Sequence, residues 1–159
     1  MDKGLSLQDV TIMKGSTPLL SVSHDIASGE VLTVMGPSGV GKSTLLAFVT
    51  GTLAADFTAT GRVLLDGHDI TDAAPHQRRV GILFQDDLLF PHLSVGANLA
   101  FGLLADGTAA ARHDKVQEAL REVGLEGFAD RDPATLSGGQ KARIALMRML
   151  LSEPCALLL

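Results

Sequence analysis

The sequence predicts an α/β fold. Three features carry that reading: short apolar runs of strand type in the first third, a glycine-rich turn joining one such run to a helix, and a change to helical periodicity after Gln85. At 159 residues, 46% hydrophobic and 19% charged, the chain has the balance of a soluble globular domain that buries a core. Its formal charge of −5 excludes the uniform basic field that drives sequence-independent nucleic-acid binding.

The elements follow in order. Leu5-Ser6-Leu7-Gln8-Asp9-Val10-Thr11-Ile12 alternates as a strand does, and residues 19–26 are β-rich. Val31-Leu32-Thr33-Val34-Met35 is a near-continuous apolar run, the pattern of a buried parallel strand. It leads directly into Gly36-Pro37-Ser38-Gly39-Val40-Gly41, after which residues 42–51 read as a helix closed by a glycine. Residues 62–65, then Asp66-Gly67, predict a strand and turn. Val80-Gly81-Ile82-Leu83-Phe84 reads as a second buried strand that delivers Gln85 at its end.

Beyond Gln85, Val116, Leu120 and Val123 recur at helical spacing before Gly124, so the third quarter reads as a helical subdomain. A last helix starts near Ser137. Ala142, Ala145, Leu146, Met149 and Leu150 mark one apolar face, and Ile144, Met147 and Leu151 broaden it almost all round, which predicts a largely buried helix. Pro154 ends it, and Ala156-Leu157-Leu158-Leu159 opens another buried strand. The division expected is an α/β core over 1–86, a helical subdomain over 87–154, and the start of a further strand over 155–159.

Other residues receive plainer readings. Met1-Asp2-Lys3-Gly4 shows no export signal, and the longest charge-free stretch, residues 88–105, falls short of the roughly 20 apolar residues that span a bilayer. Cys155 has no internal disulfide partner and is expected to be a small buried hydrophobe in a reducing, cytosolic setting. His24, His68, His76, His92 and His113 follow no metal-ligand spacing. Arg78-Arg79 reads as a solvated turn. The phenylalanines Phe48, Phe57, Phe84, Phe90, Phe101 and Phe128 read mostly as core, with Phe90 set apart because it follows Gln85 closely.

Gly36-Pro37-Ser38-Gly39-Val40-Gly41-Lys42-Ser43 satisfies G-x-x-x-x-G-K-[ST] with a predicted strand before it and a helix after it, which is the context of a phosphate-binding loop. Two glycines, a lysine and a hydroxyl residue at those offsets arise by chance in roughly 0.6% of chains of this length, so coincidence is the weaker account. Glycines let backbone N–H groups converge on phosphate oxygens, and the helix beginning at Lys42 aims the positive end of its dipole at them. Lys42 reaches the β- and γ-phosphates as a point charge, Ser43 is placed to coordinate Mg²⁺, and Thr44 donates to the next phosphate inward. The motif leaves the base open.

Leu136-Ser137-Gly138-Gly139-Gln140 opens the last helix, and Ser137 with Gln140 forms the S-x-x-Q of a capping box. Gly138 and Gly139 then serve close packing, on the plainer account. Two glycines in a first turn nevertheless cost on the order of 1 kcal/mol each relative to alanine. A second anion site at this helix N-terminus offsets that cost on the other account.

With those residues in hand, the chain resembles the ATP-binding subunits of ABC transporters. The phosphate loop at Gly36 to Thr44, the Q-loop glutamine Gln85 and the signature Leu136 to Gln140 stand in the family's order, and the resemblance covers essentially the whole chain. Phe90-Pro91-His92-Leu93-Ser94-Val95 is also similar to bacterial importers, particularly thiamine-like and related uncharacterised small-solute systems. The resemblance implies a P-loop NTPase (RecA-like) core with an antiparallel β subdomain and an inserted α-helical subdomain, the later strands being absent. It implies ATP and Mg²⁺ as ligands, with Ser43 at the metal and Gln85 at the metal or the attacking water. ATP on Gly36, Ser38, Gly39, Gly41, Lys42, Ser43 and Thr44 of one subunit is then capped by Ser137, Gly138, Gly139 and Gln140 of a second in a head-to-tail homodimer. The partners implied are membrane-spanning permease subunits, whose helix the Phe90 region receives, and a solute-binding protein. The site implied is the cytoplasmic face of the inner membrane, held peripherally.

Two departures from the family pattern are visible. The next strand of the family ends in an aspartate and a glutamate, and the sequence stops at Leu159, before that pair. The expectations are therefore a piece of a longer subunit and poor ATP hydrolysis by these residues alone, because the general base and a metal ligand are missing. The family's adenine-stacking aromatic also has no counterpart near Met13-Lys14-Gly15, where Met13 or the stem of Lys14 remains to cover the base. The competing readings are a non-transport ABC ATPase and a nucleotide-binding fragment without turnover. The short spacing between Lys42 and Ser137, with the acidic charge, favours transport over a DNA or ribosome partner.

Overall fold

A computed structural model describes residues 4–84, 88–104 and 107–159. They fall into two compact units, Met1–Val80 with Leu158, and Gly81–Leu157 with Leu159.

In the first unit, β1 (Gly4–Lys14), β2 (Thr17–Ala27), β3 (Phe57–Leu65) and β4 (His68–Asp69) form an antiparallel sheet in the order β2-β1-β3-β4. The alternation in β1 changes phase once. Leu5 and Leu7 are buried, and then Val10 and Ile12. The ladder slips between Leu7 and Val10 against β2 and between Gln8 and Thr11 against β3. A bulge at Asp9, whose φ is 49°, absorbs the extra residue and keeps all four apolar side chains on one face. Opposite it lies Gly61, where a Cβ would stand 2.5 Å from the Asp9 carbonyl oxygen. Val63 and Leu65 of β3 are buried too, as are Leu45, Phe48 and Val49 of α1 (Lys42–Thr50).

The C-terminal end of α1 closes on Gly51, at φ 78°, with the Thr52 N–H donating to Ala47 O at 2.8 Å. Arg78, read from sequence as part of a solvated turn, is instead 5% exposed. Its Nη1 donates to the carbonyls of Phe48 and Val49 at 2.8 and 3.0 Å, Nε to Ala73 O at 2.8 Å, and Nη2 to Thr71 O. The helix ends in carbonyls without intrahelical donors, and a guanidinium supplies both the donors and the charge that suits that end of the dipole. Burial pushes the Arg78 pKa down, opposed by the charge of Asp72. Arg79 is exposed, as expected of the pair.

The second unit holds α2 (Val95–Gly102), α3 (Ala109–Glu122) and α4 (Gly138–Leu150). Ser94 and Thr108 cap the first two through bonds from the Ala97 and Ala111 N–H groups, each at 3.2 Å. The core joins Val95, Leu99, Val116, Leu120, Leu125, Leu136, Ile144 and Met147. Val116 and Leu120 are thus where the helical spacing puts them. Helix α4 departs from expectation: only Ile144, Ala145 and Met147 are buried, while Ala142 and Leu150 are exposed. β5 (Val80–Ile82) and β6 (Ala156–Leu158) form a separate two-stranded sheet.

Three further expectations are corrected. Val31-Leu32-Thr33-Val34-Met35 joins neither sheet, and Val31 and Met35 are 86% and 87% exposed. A buried parallel strand exists only between neighbours that complete its ladder and cover both faces, and among the described residues none pairs with this run. Phe84 and Phe101 are exposed while Phe48 is buried. Cys155 is exposed rather than buried, in the short connection after α4.

Candidate functional site

The phosphate-loop geometry is built by two glycines. Gly39 and Gly41 take φ of 84° and 99°, the left-handed region that side chains strain to enter. At Gly41 a Cβ would also stand 2.8 Å from Cδ2 of Leu20, so space and dihedral both call for glycine. Gly41 is the N-cap of α1 and offers no side-chain cap. The first intrahelical bond runs from Leu45 N–H to Gly41 O at 2.8 Å, which leaves the Lys42, Ser43 and Thr44 N–H groups without intrahelical acceptors. That is the donor set of an anion site.

Lys42 turns back across the loop, its Nζ donating to Gly36 O at 2.7 Å and to Pro37 O at 2.9 Å. An ammonium has three donors, so one remains for a phosphate oxygen while the other two hold the charge beside the loop. Ser43 is exposed and Thr44 half-buried. A hydroxyl next to uncapped N–H groups and an ammonium suits a magnesium-bound phosphate chain.

At the second candidate element both halves of the capping box form. Ser137 Oγ accepts the Gln140 N–H at 3.3 Å, and Gln140 Oε1 accepts the Ser137 N–H at 2.9 Å. Leu136, buried in the helical core, anchors the turn. Gly138 and Gly139 behave differently: a Cβ on either would meet nothing within 4 Å. Packing among the described residues therefore does not account for them, and their N–H groups open the first turn of α4.

Gln85, assigned a catalytic and metal-contacting part from sequence, lies outside the described residues. Downstream, Phe90 packs edge-on against Phe101 at 4.7 Å between ring centroids. The two help line a cavity of about 360 Å³ with Ile82, Phe84, Leu88 and Arg148. Sequence reasoning missed Asn98 and Arg148 here, although an Asn on an apolar helix face and an Arg on an apolar stripe are signals of a buried polar role. Asn98 is fully buried, and burial pushes the Arg148 pKa down. Among the described residues no three His, Cys, Asp or Glu side chains gather as metal ligands.

Residues 19–159 match the family model described as ABC transporter, and the chain belongs to that family of ATP-binding proteins. It is 47% identical over 156 residues to the "Uncharacterized ABC transporter ATP-binding protein YnjD" of Escherichia coli (strain K12), covering 98% of this chain and 72% of that one. It is also 47% identical over 149 residues to the "Molybdenum import ATP-binding protein ModC" of Mycobacterium tuberculosis (strain ATCC 25618 / H37Rv), covering 88% of this chain and 40% of that relative. Among solved structures, CbiO1 from Clostridium perfringens, described as part of the ABC transporter complex cbiONQ, matches with a TM-score of 0.80 and 32% identity over 99% of this chain and 64% of its own. The α/β class expected from sequence is thus the fold of an ABC ATP-binding chain. The chain spans less than half the length of ModC.

Proposed function

We propose that this chain binds ATP with Mg²⁺ and, in the assembled transporter, hydrolyses it to power import of a small solute. The observation that carries the reading is the start of α1: an uncapped helix N-terminus on two left-handed glycines, with Lys42 Nζ held beside the loop by Gly36 O and Pro37 O. Gly36, Ser38, Gly39 and Gly41 shape the loop, Lys42 contacts the terminal phosphates, Ser43 holds the metal, and Thr44 donates to the inner phosphate. Mg²⁺ held there would supply charge neutralisation on the phosphate chain.

Gly138 and Gly139, whose missing side chains serve no packing among the described residues, lie open to the phosphates bound by a second copy, with Ser137 and Gln140 fixing the turn. Two such contacts related by a twofold axis make a head-to-tail dimer with ATP between the subunits. Gln85 acts at the metal or the attacking water. Relatives named for import of molybdenum, spermidine/putrescine, ferric iron and sulfate or thiosulfate support an importer, with permease subunits and a solute-binding protein as partners. We place it peripherally on the cytoplasmic face of the inner membrane. No helix among the described residues is long and apolar enough to cross a membrane.

The test is calorimetric titration of MgATP into the parent chain and into Lys42→Ala. Binding by the parent with a loss of about a hundredfold in the variant supports the reading. Equal affinity in both would overturn it.

A further inference from the structure

Helix α4 carries the Ser137 turn at one end and Arg148 near the other. Arg148 directs its side chain at α2 and at a strap, the residues that follow the Gln85 segment. Its Nη2 donates to Leu88 O at 3.0 Å, and its Cζ lies 5.0 Å from the centre of the Phe90 ring. Its Nη1 donates to Asn98 Oδ1 at 3.4 Å.

Asn98, on α2, grips the same strap with its amide. Oδ1 accepts the Phe90 N–H at 2.8 Å, and Nδ2 donates to the carbonyls of Phe90, Leu93 and Ser94 at 3.1, 3.2 and 3.0 Å. The backbone of Arg148 is also engaged, since a Cβ on Gly102 of α2 would overlap its carbonyl oxygen. Strap, α2 and α4 therefore meet at one residue. A planar fork with a polarisable face suits that junction, and a lysine ammonium makes only part of the same contacts.

We propose that Arg148 is a positioning residue that ties the strap at Leu88 and Phe90 to α4, so that the strap and the Ser137 turn move as one body. A helix rises 1.5 Å per residue, so Ser137 and Arg148 stand roughly 16 Å apart on one continuous rod. A displacement imposed at the Ser137 turn is delivered to the segment beside Gln85 through this fork. The proposal rests on the reading that the Ser137 turn meets nucleotide, and it adds the path by which that contact reaches the strap.

The experiment compares the full chain with R148M, R148K and, as a surface control, R121M. Amide hydrogen exchange is read across residues 88–98 without nucleotide, and kcat and KM are read for MgATP in the assembled transporter. R148M should speed exchange at the Phe90 and Leu93 amides about tenfold while amides of β1 and α3 stay at the parent rate. Its kcat should fall about fivefold with KM within about twofold, R148K should recover part of both, and R121M should change neither. Strap exchange within about twofold of the parent overturns the proposal, as does a rise in KM at constant kcat. If R148M does not fold, R148K carries the same comparison. If the parent binds no MgATP, the nucleotide reading is what fails, and the exchange result still decides whether Arg148 holds the strap.

Discussion

Gly51 leaves room for the guanidinium of Arg78: a Cβ at position 51 would stand 2.5 Å from Arg78 Nε. The end of the phosphate-loop helix is thus shaped to admit a buried cation that binds its last carbonyls. Gly51→Ala meets both this contact and the strain of φ 78°, and should destabilise the fold by about 2–4 kcal/mol. Arg78→Met removes a donor from four carbonyls, of which Phe48 O keeps the Gly51 N–H, and should cost about 3 kcal/mol. Because the two share one interaction, the double variant should lose less than the sum in urea denaturation. Strict additivity would show that the contact is not shared.

Gly41 and Gly39 separate strain from crowding. Both sit at positive φ, but an added Cβ meets Leu20 only at Gly41, while nothing lies within 4 Å at Gly39. Gly41→Ala should weaken MgATP binding about a hundredfold and Gly39→Ala about tenfold, by calorimetry. The reverse order would mean that the loop's shape is set elsewhere.

At the start of α4, stability and function should part company. Gly138→Ala enters open space and should stabilise the isolated chain by about 0.5 kcal/mol. In the full chain the same change should weaken ATP-dependent dimerisation about tenfold, read by sedimentation with Mg²⁺. Ser137→Ala instead breaks the capping box and should cost about 1 kcal/mol. A Gly138→Ala chain that dimerises as tightly as the parent contradicts the cross-subunit contact.

Asp69 gives the pH dependence. Its Oδ1 accepts the Thr71 hydroxyl at 2.6 Å and the Thr71 N–H at 2.9 Å, and these bonds, the hydroxyl first, hold its pKa below the ordinary value, with Arg62 adding to them against burial. A carboxyl whose pKa is lower folded than unfolded contributes stability that is complete above the unfolded pKa and lost as pH falls through the folded one. The turn should therefore be whole at neutral pH and weaken only in strong acid. Thr71→Val should move the Asp69 titration upward, followed by carboxyl-carbon NMR. An unmoved titration would assign the shift to another group.

Local chemistry was readable from the residues. The glycines of the phosphate loop, the S-x-x-Q of Ser137 and Gln140, and the spacing of Val116 and Leu120 each depend on neighbours a few positions away. What escaped depends on distant partners. Arg78 looked like half of a surface pair because its acceptors, Phe48 and Val49, lie far back in the chain. Residues 31–35 read as a strand because apolarity reports a wish for burial and says nothing about which backbone completes the ladder. Plain alternation through β1 was also too simple a reading, since the apolar positions step once out of phase at Asp9.

The bulge at Asp9 and the bare backbone of Gly61 make one lock with its halves on different strands. A change to either is tolerated only in company: deleting a residue from the bulge would remove the need for glycine opposite, while any side chain at 61 would demand a new path for β1.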